Sequence, residues 1–212
     1  MPRLFTAVRL IKWLAIYLVC QTTVTIVLGY RHYLPPNFQA DFLLGRSGYF
    51  FGTYQWAFYA HIFSGPVTLI AGLFLLSDGL RNRYPQWHRW LGRMQVLLIL
   101  AVLTPSGLWM AFYAPGAIAG AGFAMLSLAT AFCAAMGWRT AVVRQFQQHR
   151  WWMLRCYALL CSAVALRLIG GLSEITGAYW TYPLAAWTSW IVPLVAVELY
   201  RTTRLASRLP QW

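Results

Sequence analysis

Six apolar runs, separated by short stretches that carry most of the charge, constrain this chain more than any other feature. They lie at 13–30, 55–77, 94–113, 117–138, 151–173 and 183–200. At 1.5 Å of rise per residue, runs of about 18–23 residues cross a hydrocarbon core of about 30 Å, the shorter ones with help from interfacial anchors. Backbone groups in lipid must pair within their own segment, and no stretch alternates as a barrel strand does. The sequence therefore predicts an all-α, polytopic integral membrane bundle of six transmembrane helices. Composition agrees: 60% of residues are hydrophobic and 10% charged, against roughly a quarter charged in soluble domains. The formal charge of +13 would by itself suggest a nucleic-acid binder, but clustering between apolar runs excludes that surface.

Those clusters also predict orientation. Arg3, Arg9 and Lys12, then Arg81, Arg83, Arg89 and Arg93, then Arg139, Arg144 and Arg150, then Arg201, Arg204 and Arg208 fall on one side. The other side holds Arg31 and Arg46. Because Lys and Arg accumulate in cytoplasmic loops, both termini are expected in the cytoplasm, in a multi-pass inner-membrane protein. Trp56, Trp109, Tyr113 and Trp180 would form the outer aromatic belt, with Trp87, Trp90, Trp138, Trp151 and Trp152 the inner one. The first run lacks a small-residue cleavage site and holds Gln21, Thr22 and Thr23, so it reads as a retained helix. Cys20, Cys133, Cys156 and Cys161 show no metal-like spacing and read as buried small residues. The 31–54 loop either caps the bundle from outside or is flexible.

Small residues predict how the helices pack. Gly120, Ala124, Ser127, Ala131 and Ala135 form a stripe that makes the fourth span central, and His61, Gly65, Thr68 and Gly72 share one face of the second. Pro66, the Thr104-Pro105-Ser106-Gly107 run and Pro193 should kink or unwind their spans.

Ionisable groups at membrane depth are costly, which makes them functional candidates or structural pairs. His61 and Arg167 each lie six residues, about 9 Å, below the outer boundary and can meet. No carboxylate shares their depth, and Glu174 is the nearest candidate partner. Either the two form a structural cap, or they receive an acidic or carbonyl-bearing ligand such as a quinone head or a haem propionate. On the inner side His88 and His149 begin helices that enter together, with Arg93 and Arg155 nearby and Glu198 as a counter-ion. They could hold one metal or the two axial positions of a b-type haem, with the arginines on propionates. The alternative is anchoring to anionic lipid at the cytoplasmic face. His149 and Arg167, eighteen residues apart, fall on one helix face with Met153, Cys156, Leu160 and Ala163.

HisIlePheSerGly at 61–65, TyrProGlnTrpHisArgTrpLeuGlyArg at 84–93, GlnHisArgTrpTrpMetLeuArgCysTyrAla at 148–158 and AlaLeuArgLeu at 165–168 resemble the membrane family of domain of unknown function 2306. The resemblance runs from about residue 55 to about 170, leaving the first span, the loop and everything after the fifth span outside it. It implies a polytopic helical fold and supports His61, His88, Arg93, His149, Arg155 and Arg167 as site residues without giving their chemistry.

With no nucleophile beside a base and no carboxylate pair, the leading expectation is an accessory or assembly subunit, with a larger respiratory or redox complex in the bilayer as the candidate setting. A haem- or quinone-binding redox protein is the alternative, and a small-molecule transporter the third. Arg167 is expected to matter far more than Arg46, which lies outside the membrane.

Overall fold

The computed structural model describes residues 2–40, 42–177 and 181–206, with side chains for residues 10, 13–40, 42–173, 175–177 and 181–203. Arg3, Arg9, Lys12, Glu174, Trp180, Arg204 and Arg208 thus lie outside the described side chains. Among the described residues there is no strand. The helices run α1 Pro2–Gly29, α2 Ser47–Phe50, α3 Thr53–Leu75, α4 Asp78–Arg83, α5 Pro85–Leu98, α6 Thr104–Phe112, α7 Ala117–Val142, α8 Phe146–Leu160, α9 Ser162–Thr176 and α10 Tyr182–Ala206. Six segments are long and apolar enough to cross a membrane: Trp13–His32, Thr53–Leu75, Pro85–Phe112, Ala117–Val142, Phe146–Ser173 and Tyr182–Thr203.

The third and fifth segments begin well before their apolar runs. Pro85 sits in the first turn of α5, where its fixed φ suits a helix start and its missing N–H leaves nothing unpaired. The helix therefore carries His88, Arg89 and Arg93 into the span.

Prolines mark where the spans deviate. Before Pro105 the ladder widens into a π turn over Ile99–Leu103, closed by the Thr104 N–H bonding the Ile99 carbonyl. A wider turn makes room for a ring that would otherwise strike the carbonyl four residues back. Pro66 lies inside α3 and cannot donate to the carbonyl of Ile62. The Tyr30 hydroxyl, at the end of the first span, donates to that carbonyl instead. A group orphaned by the sequence of α3 is thereby satisfied from the end of the first span, just past α1, as the bilayer interior demands. The fifth span is interrupted at Cys161, between α8 and α9.

The main apolar core gathers Val96, Ile99, Leu103, Cys133, Ala134, Cys156, Leu159 and Trp190. A second cluster joins α1 to α3 and α9 through Val19, Leu69 and Val164. α7 packs on α6, α8 and α10, and the expected stripe accounts for part of this: Gly120 lets the Ala111 carbonyl of α6 approach, a Cβ there standing 2.8 Å from it, and Ser127 lies against Gly107. The buried face of α7 is Ala119, Gly122, Thr130, Cys133, Ala134, Gly137 and Thr140, whereas Ala135 is exposed. A stripe of small residues marks where a backbone can approach, but the neighbours that α7 has decide which side is used. Gly72 shows such an approach: a Cβ there would lie 2.6 Å from the Tyr157 ring.

The 31–54 loop is a packed cap. Leu43 and Phe50 are fully buried with Tyr54 and Phe58, backed by Tyr33, Phe38, Tyr59, Met110 and Tyr113. Arg46 ties it down: its Nε donates to the Phe42 carbonyl at 2.7 Å, and its Nη1 to the Tyr49 hydroxyl at 2.8 Å and the Tyr113 carbonyl at 3.2 Å. The guanidinium also lies 4.7 Å over the Phe42 ring.

Candidate functional site

Below this cap, a cavity of about 170 Å³ opens between α3, α6, α7 and the α8–α9 helix, with Ile26 of α1 on its wall. His61 and Arg167 both line it, and they are close enough to interact electrostatically. His61 comes off the middle of α3. Its Nδ1 lies 3.3 Å from the Ser106 hydroxyl, and the ring fits because residue 107 is glycine. A Cβ at Gly107 would stand 3.1 Å from His61 Cε1 and 2.8 Å from the Ser127 hydroxyl. The remaining wall is apolar apart from Thr68, Thr104, Ser127, Thr130 and Ser162. Thr104 is buried and its hydroxyl has no partner.

Arg167 sits at the mouth. It is exposed, and its Nη1 donates to the Ala163 carbonyl one turn back at 3.0 Å. Among the described residues no carboxylate meets it, and the Glu174 side chain lies outside those described. Its electrostatic neighbours are Tyr30 and Tyr33. A guanidinium has five N–H donors, so most of its hydrogen-bonding capacity is unused among the described residues.

The basic end of the bundle is arranged differently. His149 opens α8 and its Nδ1 bonds the Gly137 carbonyl of α7 at 2.8 Å. His88, in the first turns of α5, is near enough to His149 to interact electrostatically, and its Nδ1 is buried without a partner. Among the described residues no group of three or more His, Cys, Asp or Glu converges as a metal site. Arg93 is exposed. Arg155 is held by Glu198 of α10: its Nε donates to one carboxylate oxygen, its Nη2 to the other at 2.9 Å, and it stacks 4.5 Å over Trp152. Two of its N–H groups are thus engaged on its own counter-ion rather than on a propionate.

The common face drawn from His149 to Arg167 has continuous inward contacts. Met153 packs at Gly137, Cys156 is 1% exposed, and Leu160, Ala163 and Arg167 line the cavity. Sequence reasoning did not single out Thr130 or Tyr30, and it read Ser127 only as part of a packing stripe. Ser106 and Gly107 stood in the proline run but were read only as a kink.

The sequence profile of the family described as predicted membrane protein (DUF2306) matches residues 58–201. The chain belongs to this family. The match reaches past the fifth span, so α10 and Glu198, placed outside the resemblance by the quoted motifs, fall within it. α1 and the whole 31–54 cap precede it. No curated protein and no solved structure matches the chain. Every site residue weighed above lies inside the family region, whereas Ile26 and Tyr30 are contributed by the first span.

Proposed function

We propose that this membrane protein binds the head group of a quinone-type lipid in the His61–Arg167 cavity. The single observation that carries the reading is the convergence on one cavity of an imidazole and a guanidinium that meets no carboxylate among the described residues. Ionisable groups at that depth are tolerated where they meet a partner, and a ring carrying oxygens at opposite edges offers one to the imidazole and one to the guanidinium. The volume of about 170 Å³ is below the roughly 300–1,000 Å³ of pockets that enclose a whole drug-sized ligand. It suits a single ring whose tail stays in lipid. The Arg asymmetry supports placing the Arg89 and Arg93 end at the cytoplasmic face of an inner membrane, against anionic lipid. An accessory role in a redox complex is compatible with such a site, although no surface feature favours a particular partner.

The test is solvent extraction of the full chain purified in mild detergent. Near-stoichiometric isoprenoid quinone is expected from the native protein. About tenfold less is expected from Arg167→Leu, the loss that a hydrogen bond to a charged group implies. Native protein free of quinone would sink the proposal.

A second reading, a b-type haem or single metal ion between His88 and His149, has one observation in its favour. The Nδ1 of His149 is engaged on Gly137, the outer-shell bond that orients a ligating histidine and leaves Nε2 free. A Soret band abolished by His149→Ala would support it, and a colourless, metal-free protein would remove it.

A further inference from the structure

The hydroxyl groups around the cavity have a common feature. Ser106 donates to the Val102 carbonyl at 2.6 Å, Ser127 to Phe123 at 3.0 Å, Thr130 to Leu126 at 2.7 Å and Thr68 to Gly65 at 2.8 Å. Each hydroxyl has one proton, and each proton is directed at its own helix. What these side chains turn to a guest is therefore oxygen lone pairs. The same constraint sets the histidine tautomer. With its proton on Val102, the Ser106 oxygen can only accept from His61, so the proton of the neutral imidazole sits on Nδ1 and Nε2 is left as an acceptor. Donors to a guest come from Arg167, at the mouth, and from the hydroxyls of Thr104, which is unpartnered, and Ser162, whereas the His61 ring nitrogen Nδ1 faces Ser106 instead.

We infer that the cavity is matched to the reduced, hydroxyl-bearing form of its ligand, a quinol: one ring hydroxyl donates to His61, while the oxygen at the other edge accepts from Arg167. This rests on the quinone-type reading given above and adds a redox-state preference to it. An oxidised quinone has two acceptors and no donor. It would set a carbonyl against the imidazole lone pair and leave a polar group unpaired on each side, a penalty of about tenfold or more in affinity. No electron transfer is implied, because the preference is one of binding alone.

The experiment uses the full chain in lipid nanodiscs under argon, titrated calorimetrically with three probes: decylubiquinol, decylubiquinone and the dimethyl ether of the quinol. Quinol binding about tenfold tighter than both other probes is expected. In Ser106→Ala, which frees the imidazole to place its proton on either nitrogen, the gap between quinol and quinone should narrow to about threefold or less. In Arg167→Gln, quinol and quinone should weaken by similar factors, since both offer an oxygen there. If quinone equals or exceeds quinol, the inference is wrong while the quinone-type site stands. If the dimethyl ether binds as well as the quinol, the donated hydroxyl is likewise refuted. If none of the three binds, the site reading itself fails and takes the preference with it.

Discussion

Arg46 and Arg167 lie towards the same end of the molecule and differ in what holds them. Arg167 has one carbonyl for a partner among the described residues, whereas Arg46 has three oxygens and an aromatic face. The sequence ranks Arg167 above Arg46 by membrane depth, and the structure adds a role that depth does not report: Arg46 is pinned by its own loop. Arg46→Leu should destabilise the cap by about 2–3 kcal/mol, the scale for losing hydrogen bonds from a charged donor. Limited proteolysis within 38–52, compared with wild type, checks it; unchanged cleavage would refute the role assigned to Arg46. His61 and Arg167 were legible because the bilayer makes such residues conspicuous in an apolar run. The site roles of Ser106, Ser127 and Tyr30 were not, since a hydroxyl in a membrane helix looks alike whether it meets lipid, its own backbone or a neighbouring imidazole. Only the packing of α6 on both α3 and α7 distinguishes these cases.

At the scale of elements, hydropathy and length located the spans, because lipid imposes both. The π turn at Ile99–Leu103 was not legible, as nothing in an Ile-Leu-Ala-Val-Leu stretch favours that ladder; only Pro105 beyond it hinted at a disturbance. The cap escaped for a related reason. Its anchors, such as Arg46 to Tyr113, join residues 67 positions apart. How α1 attaches is the sharpest consequence at this scale. α1 adds Val19 to the core shared with α3 and α9, Tyr30 packs edge-on to Phe63 at 5.1 Å, and its hydroxyl satisfies the carbonyl that Pro66 leaves open. Tyr30→Phe keeps the ring and removes the hydroxyl, so about 1–2 kcal/mol should be lost. Thermal unfolding in detergent should show a fall in Tm. The same substitution made together with Pro66→Ala should cost less, because the restored N–H pairs with Ile62. Equal losses in both backgrounds would break the link between Tyr30 and Pro66.

For the whole molecule, the two ends are fastened by different means. One end is closed by aromatic rings packed edge to face, while the other is joined across α8 and α10 by Arg155 and Glu198, with Arg201 adding a contact to the same carboxylate at 3.4 Å. The Arg155 side chain is 13% exposed and Glu198 38%, so this pair is shielded on one partner and open on the other. Removing one member should hurt more than removing both, because a lone charge is left facing apolar neighbours. Glu198→Leu alone should therefore lower stability by about 1–3 kcal/mol, a range below that for a fully buried pair because Glu198 is partly accessible. Arg155→Leu combined with Glu198→Leu should recover at least half of that loss. Melting temperatures of the two single variants and the double variant supply the cycle, whose coupling isolates the pair from the packing of Arg155 on Trp152. Additive losses would mean that α10 is held by its apolar contacts, Trp187 and Trp190 foremost, and that the ion pair serves only to neutralise charge at the membrane boundary.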